Sequence, residues 1–192
     1  LLGFTGFLVV QTFYSQVILK NVKKYYVDQI IGKYIQYNVS DVISSYFYDK
    51  NKQKNIEYSD IENLQTYFNE SGTCNIYLKK VQIGMELNEV LILVGYDGDN
   101  GDITLNFLEE QFRHMEKGRL KSNLCMFIQK LVELCKCCDI DQIILGYEPA
   151  EDDDMKIMEI RKEQITIFNE DIHRSEVIQV LYNIVNDNLM SF

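Results

Sequence analysis

The side chains whose spacing suggests chemistry are carboxylates. Five of the seven residues from Glu148 to Asp154 are acidic: Glu148, Glu151, Asp152, Asp153 and Asp154. The run also holds Pro149, the only proline, and supplies −5 of a formal net charge of −10. A second group, Asp97, Asp99 and Asp102, surrounds Gly98, Asn100 and Gly101. Clustered carboxylates can serve as acid and base, hold a divalent cation, or face a basic partner.

Spacing separates these uses. Counted from Asp97, a calcium loop needs glycine one position later than Gly101, and its twelfth residue is Leu108 rather than glutamate. A hairpin explains the same residues without an ion. Magnesium between Glu148, Glu151, Asp152 or Asp153 and Asp97 or Asp99 requires the two loops to meet at one sheet edge, which would make a metal-dependent hydrolase the alternative reading. The five cysteines offer little more. Cys125, Cys135, Cys137 and Cys138 fall in one predicted helix or at its end and do not form the two C-x2-C pairs of a zinc site. His114 and His173 lie in other predicted elements. The cysteines therefore read as small core residues and reduced thiols, which points to a cytoplasmic protein.

Nucleophilic and nucleotide chemistry lack their signatures. There is no G-x-S-x-G, no phosphate-binding glycine loop and no dinucleotide fingerprint. The net charge and a sequence pI of 4.7 disfavour nucleic acid as a partner. No catalytic residue, metal or cofactor is expected. What remains is binding: Tyr96 and Tyr147, read as exposed anchors, beside Asp97, Asp99, Glu148, Glu151, Asp152, Asp153 and Asp154, facing a basic protein.

These residues need a frame. From Leu1 to Leu19 the chain carries no charge, and Lys20, Lys23 and Lys24 follow. Gln11, Thr12, Ser15 and Gln16 interrupt that stretch, so a core segment, strand or helix, is favoured over a membrane anchor. Val22, Tyr26, Ile30, Tyr34, Val39, Val42, Ile43 and Tyr46 recur at mostly three- and four-residue steps, which predicts helix between Asn21 and Tyr48. Asp49 to Asn55 reads as a polar loop. Ser59-x-x-Glu62 reads as a capping box opening a helix from Asp60 to about Phe68.

Strands follow. Cys74 to Ile83, Val90 to Tyr96 and Asp102 to about Leu108 have strand composition, and Asn100-Gly101 signals the tight turn between the last two. Ser122 can cap a helix from Asn123 to Cys138. Asp141 to Glu148 is a buried strand leading into the acidic run. Met155 to Ile160 and Gln164 to Phe168 form a hairpin, and a helix from Ser175 to Leu189 closes the chain.

The expectation is a single α+β domain, helical over about 1–70 and strand-rich over about 73–192. Its sheet is mostly antiparallel with five or six strands, and helices pack chiefly on one face. Small acidic α+β proteins without catalytic motifs include immunity proteins that neutralise nuclease toxins. That likeness is one of class and charge, and no motif carries it. The leading reading is a non-enzymatic protein-binding domain, an immunity or inhibitor protein for a basic toxin. A sensory domain beside a membrane is the third.

Overall fold

Alternation of apolar and polar residues builds the molecule. The structure is a computed structural model that describes residues 14–49, 53–69, 71–113, 115–162, 164–168 and 176–186. Its nine strands are β1 (Tyr14–Lys23), β2 (Val42–Asp49), β3 (Lys54–Ile56), β4 (Gly72–Ile83), β5 (Met85–Asp97), β6 (Asn100–Leu108), β7 (Gln142–Tyr147), β8 (Lys156–Arg161) and β9 (Gln164–Ile167). They form one sheet in the order β3-β2-β4-β5-β6-β1-β7-β8-β9, and every pairing is antiparallel. The α+β class is as expected; the sheet is larger than five or six strands.

Period two assigns each side chain to a face. Val17, Leu19, Ile76, Leu78, Ile92, Val94, Ile103 and Leu105 point into the main core. Helix α4 (Lys117–Cys137) covers that side, burying Leu120, Leu124, Phe127, Ile128, Leu131 and Cys135 at helical spacing. Helix α5 (Glu176–Asn186) packs on α4 and buries Ile178, Leu181 and Ile184. Three short helices, α1 (Val27–Gln29), α2 (Leu64–Tyr67) and α3 (Glu110–Arg113), fill the corners.

The first seventy residues depart most from expectation. Instead of one long helix they hold β1, a short run of 3-10, α and π turns from Lys24 to Tyr34, and then β2 and β3. Val42-Ile43-Ser44-Ser45-Tyr46-Phe47-Tyr48 is β-branched and aromatic, and it pairs with β4. Within β2 the stripe's Val42, Ile43 and Tyr46 stand at steps of one and three that do not single out a helix, so pairing with β4 decided the structure. The ambiguous N-terminal segment resolves as strand from Tyr14. Residues 1–13, and with them most of the possible anchor, lie outside the described residues, as do His114 and His173. No helix among the described residues is long and apolar enough to cross a membrane.

Boundaries shifted for identifiable reasons. Helix α2 starts after Asn63, whose Oδ1 accepts from Thr66 N at 2.7 Å, not at the Ser59 box. Asp28 also accepts from Leu64 N at 2.6 Å and Gln65 N at 3.0 Å, so a carboxylate from α1 holds that end. Helix α4 begins at Lys117, five residues before the expected cap. The β5–β6 turn is Gly98-Asp99, since Asp97 pairs with Asn100. Gly98 takes φ +67°, the pattern of a type II′ turn, while Asn100 and Gly101 are already strand.

Candidate functional site

The face of the sheet turned away from α4 carries the acidic run. Between β7 and β8 the chain folds back across β1 and β7 instead of standing out as a turn. Ala150 is fully buried against Ile18 and Ile144, a small second core on this side of the sheet. Its backbone N–H donates to Gln16 Oε1 at 3.0 Å, and Gln16 Nε2 donates to Asn106 Oδ1 at 2.9 Å. Both side chains are buried beneath the loop, so the amide chain satisfies them. Gly146 leaves the necessary space: a Cβ there would lie 2.5 Å from Met155 O and 2.9 Å from Ala150 Cβ. Glu148 N donates to Tyr14 O at 3.0 Å, and Tyr147 N to Met155 O at 3.0 Å.

Ion pairs fasten the loop further. Lys20 Nζ lies 2.8 Å from Glu151 Oε1 and 2.5 Å from Asp102 Oδ2. Burial alone would lower the lysine pKa, but the hydrogen bonds and charges of Asp102 and Glu151 outweigh it and raise the value. Lys156 Nζ sits 3.7 Å from Asp153. Five loop carboxylates thus face two ammonium groups, and among the described residues no cation pairs with Glu148, Asp152 or Asp154. The result is a fixed, exposed and negatively charged surface.

Asp97 and Asp99 of the second carboxylate group lie elsewhere. Asp99 is at the Lys24 end of β1, where Lys24 N donates to its carbonyl at 2.9 Å, while Glu148 is at the Tyr14 end. The two loops therefore do not meet at one edge, and the magnesium arrangement between Asp97 or Asp99 and Glu148 is not formed. Among the described residues no group of three or more His, Cys, Asp and Glu is placed to hold a metal. Asp102, not Asp97, approaches the loop, through Lys20. Asp97 accepts from Ser71 Oγ at 2.7 Å.

The tyrosines need correction. Tyr96 is not exposed: it points into the core at 4 % accessibility, its ring tilted against that of Phe68 at 4.9 Å. The strand period places it with Val94 and Ile92, and burial pushes its hydroxyl pKa well above the ordinary value. Tyr147 is half-buried against the core and donates to Glu109 Oε1 at 2.8 Å. The exposed apolar residues of the open face include Tyr14 on β1, Tyr46 and Tyr48 on β2 and Leu93 on β5. Tyr46 and Leu93 border a groove of about 910 Å³ whose walls include Thr73, Asn75, Asp97, Asp102, Thr104 and Lys20. Tyr46 was hidden by its assignment to a helical stripe. Leu93 was hidden in an apolar run that reads as wholly buried.

The cysteines are free among the described residues. Cys74, Cys135 and Cys138 are buried, Cys125 is half-buried and Cys137 is exposed. Desolvation raises the Cys74 pKa to about 12 and is the leading cause of the rise at Cys138 to about 11, so both behave as inert core thiols.

Comparison with known proteins now bears on this surface. A chain in the crystal structure of the toxic C-terminal tip of CdiA from Pseudomonas aeruginosa, in complex with immune protein, shares the fold at TM-score 0.57 and 15% identity. The match covers 78% of this chain and 95% of that one. The Pseudomonas aeruginosa T6SS protein PA0821 matches at TM-score 0.47 and 9% identity, over 70% of this chain and 42% of that one. No curated protein matches significantly. The family model of the PABL017 Cdi1I immunity protein matches residues 15–164, from β1 into β9 and across the whole acidic loop. The chain therefore belongs to the Cdi1I immunity protein family.

Proposed function

We propose that this immunity protein is a non-enzymatic inhibitor that binds a basic toxin domain in the cytoplasm and occludes it with the loop from Glu148 to Asp154. The observation that carries the reading is the mounting of that loop. Ala150, Gln16 and Lys20 tie it to the two central strands, so its carboxylates are held in place before a partner arrives. A rigid charged surface loses little conformational freedom on binding. Fixed negative potential speeds encounter with a basic partner and selects against acidic ones. The toxin–immunity complex that shares the fold is consistent with a toxin as the partner class.

The test is charge reversal. Asp152→Lys, Asp153→Lys and Asp154→Lys together change the charge by +6 without touching the buried contacts of Ala150. Association with the cognate toxin domain is expected to slow by at least ~10-fold at low salt and to lose most of its salt dependence. Stopped-flow or surface-based kinetics at two ionic strengths would measure this. An unchanged association rate at low salt would refute occlusion by this loop.

A further inference from the structure

The open face is only half covered, and its uncovered half has a defined composition. The strand register draws one row of side chains across the sheet: Tyr46, Asn75, Leu93, Thr104, Ile18 and Ile144, each opposite the next. The row is apolar at both ends and at Leu93. At one end Ala150 folds over Ile18 and Ile144 and removes them from water. At the other end nothing among the described residues covers Leu93, which is 38% exposed, or Tyr46, which is 45% exposed. One strand, β4, separates them, a span of about 10 Å, and the groove of about 910 Å³ lies over this half.

We infer that this groove is the apolar anchor site for the toxin, filled by a toxin side chain seated on Leu93 and Tyr46 beside a toxin Lys or Arg directed at Asp97 and Asp102. The assignment rests on the toxin-binding reading and names the chemistry that the partner brings. Apolar surface together with unneutralised charge selects this occupant. Asp97 has a hydroxyl partner, Ser71, and no cation among the described residues. Asp102 shares Lys20 with Glu151, so one ammonium serves two carboxylates. Asp102 is two residues along β6 from Thr104, about 7 Å, which places a carboxylate one side-chain row from the apolar floor. An incoming guanidinium can then bond a carboxylate while a neighbouring aromatic or aliphatic side chain lies on Leu93.

The loop and the groove would divide the labour of binding. Exposed rim carboxylates act over distance and set the rate of encounter. A water-excluding contact on Leu93 and Tyr46 sets how long the complex lasts, since most binding energy comes from a few desolvated anchors. The toxin residue would do at Leu93 what Ala150 already does at Ile18 and Ile144.

The experiment compares kinetics of the purified cognate toxin domain with four proteins: the unsubstituted chain, Leu93→Ala/Tyr46→Ala, Asp97→Asn/Asp102→Asn, and Met126→Ala. Met126 is exposed on α4, on the other side of the sheet. The Leu93/Tyr46 variant is expected to dissociate roughly thirty-fold faster with little change in association. The Asp97/Asp102 variant should weaken binding about ten-fold, and Met126→Ala should match the unsubstituted chain. Far-ultraviolet circular dichroism and thermal melts would confirm that the variants fold. In the complex of the unsubstituted chain, hydrogen exchange should slow in β4 and β5, a readout that needs no variant. Tight binding with unchanged dissociation in Leu93→Ala/Tyr46→Ala would overturn the groove assignment while leaving the toxin reading standing. Absence of any binding by the unsubstituted chain would overturn both. A groove covered by a second copy of this chain, seen as a dimer that Leu93→Ala/Tyr46→Ala dissolves and the toxin does not, would also overturn it.

Discussion

Lys20 shows how one side chain can stabilise the fold while limiting what the surface attracts. Its ammonium joins β1 to Asp102 on β6 and to Glu151 in the loop. The partners are substantially exposed, so solvent screening keeps the pair energies small. Lys20→Met is expected to cost about 0.5–1 kcal/mol of stability, measured by urea unfolding. The same substitution takes the net charge from −10 to −11 and frees two carboxylates, so association with a basic toxin should become faster. Opposite signs for stability and association rate are a demanding combination; slower association would contradict the assigned role of this surface. The sign of the pH dependence follows from the raised lysine pKa. Stability contributed by the charged form is fully present below the ordinary value of 10.5 and is lost as pH rises through the raised one. The lysine's part of the stability gap between the two proteins should therefore stay level from neutral pH to about 9 and narrow only above ~10.5. The composition announced the carboxylates but not this cation, because Lys20 and Glu151 are 131 positions apart and only the placement of β1 beside β6 and β7 unites them.

At the scale of elements, two glycines mark where backbone must come close. Gly84 turns β4 into β5 at φ +72°, and a Cβ there would lie 2.3 Å from the Met126 carbonyl, so the hairpin tip rests directly on α4. Gly146 does the corresponding work on the open face, beneath Ala150 and Met155. Gly146→Ala should raise the acidic loop without entering the main core, at a cost of about 1–3 kcal/mol. Hydrogen exchange would read this directly: the Ala150 amide, bonded to Gln16 Oε1, should lose protection while amides of β4 and β5 keep theirs. Equal protection of Ala150 in both proteins would show that the loop is not seated through this contact. Strands that alternate over most of their length, such as Cys74 to Ile83 apart from Lys79-Lys80, were legible because burial on one face enforces period two. Val42 to Asp49 was not, because its apolar residues satisfied three- and four-residue steps as well as strand pairing. The acidic run was legible in composition but not in pose. Nothing local announces that Ala150 is a core residue, since the pocket it fills needs Ile18 from the distant strand β1 as well as Ile144.

At the scale of the molecule, the position of β1 governs cooperativity. The sheet order places this early strand between β6 and β7, so it alone connects β3-β2-β4-β5-β6 to β7-β8-β9. Each of its edges is paired, and Val17 and Leu19 are fully buried. Most contacts of the central strands are therefore distant in sequence, and folding must close long loops before the sheet is continuous. Such a sheet has no independent halves: losing β1 would bare a strand edge on both sides and remove the floor on which the acidic loop lies. Leu19→Ala leaves a cavity in the middle of this seam and should destabilise the chain by about 2–5 kcal/mol. Its mode of unfolding is the sharper expectation. Circular dichroism of the sheet, tyrosine fluorescence and retention of toxin binding should all be lost in one coincident urea transition, shifted to lower denaturant with an unchanged slope. If toxin binding vanished in an earlier step than sheet structure, the loop and groove would belong to a separately unfolding unit. The clamp from Gln16 and Lys20 to the loop predicts otherwise, because both residues sit on the strand that holds the two parts of the sheet together.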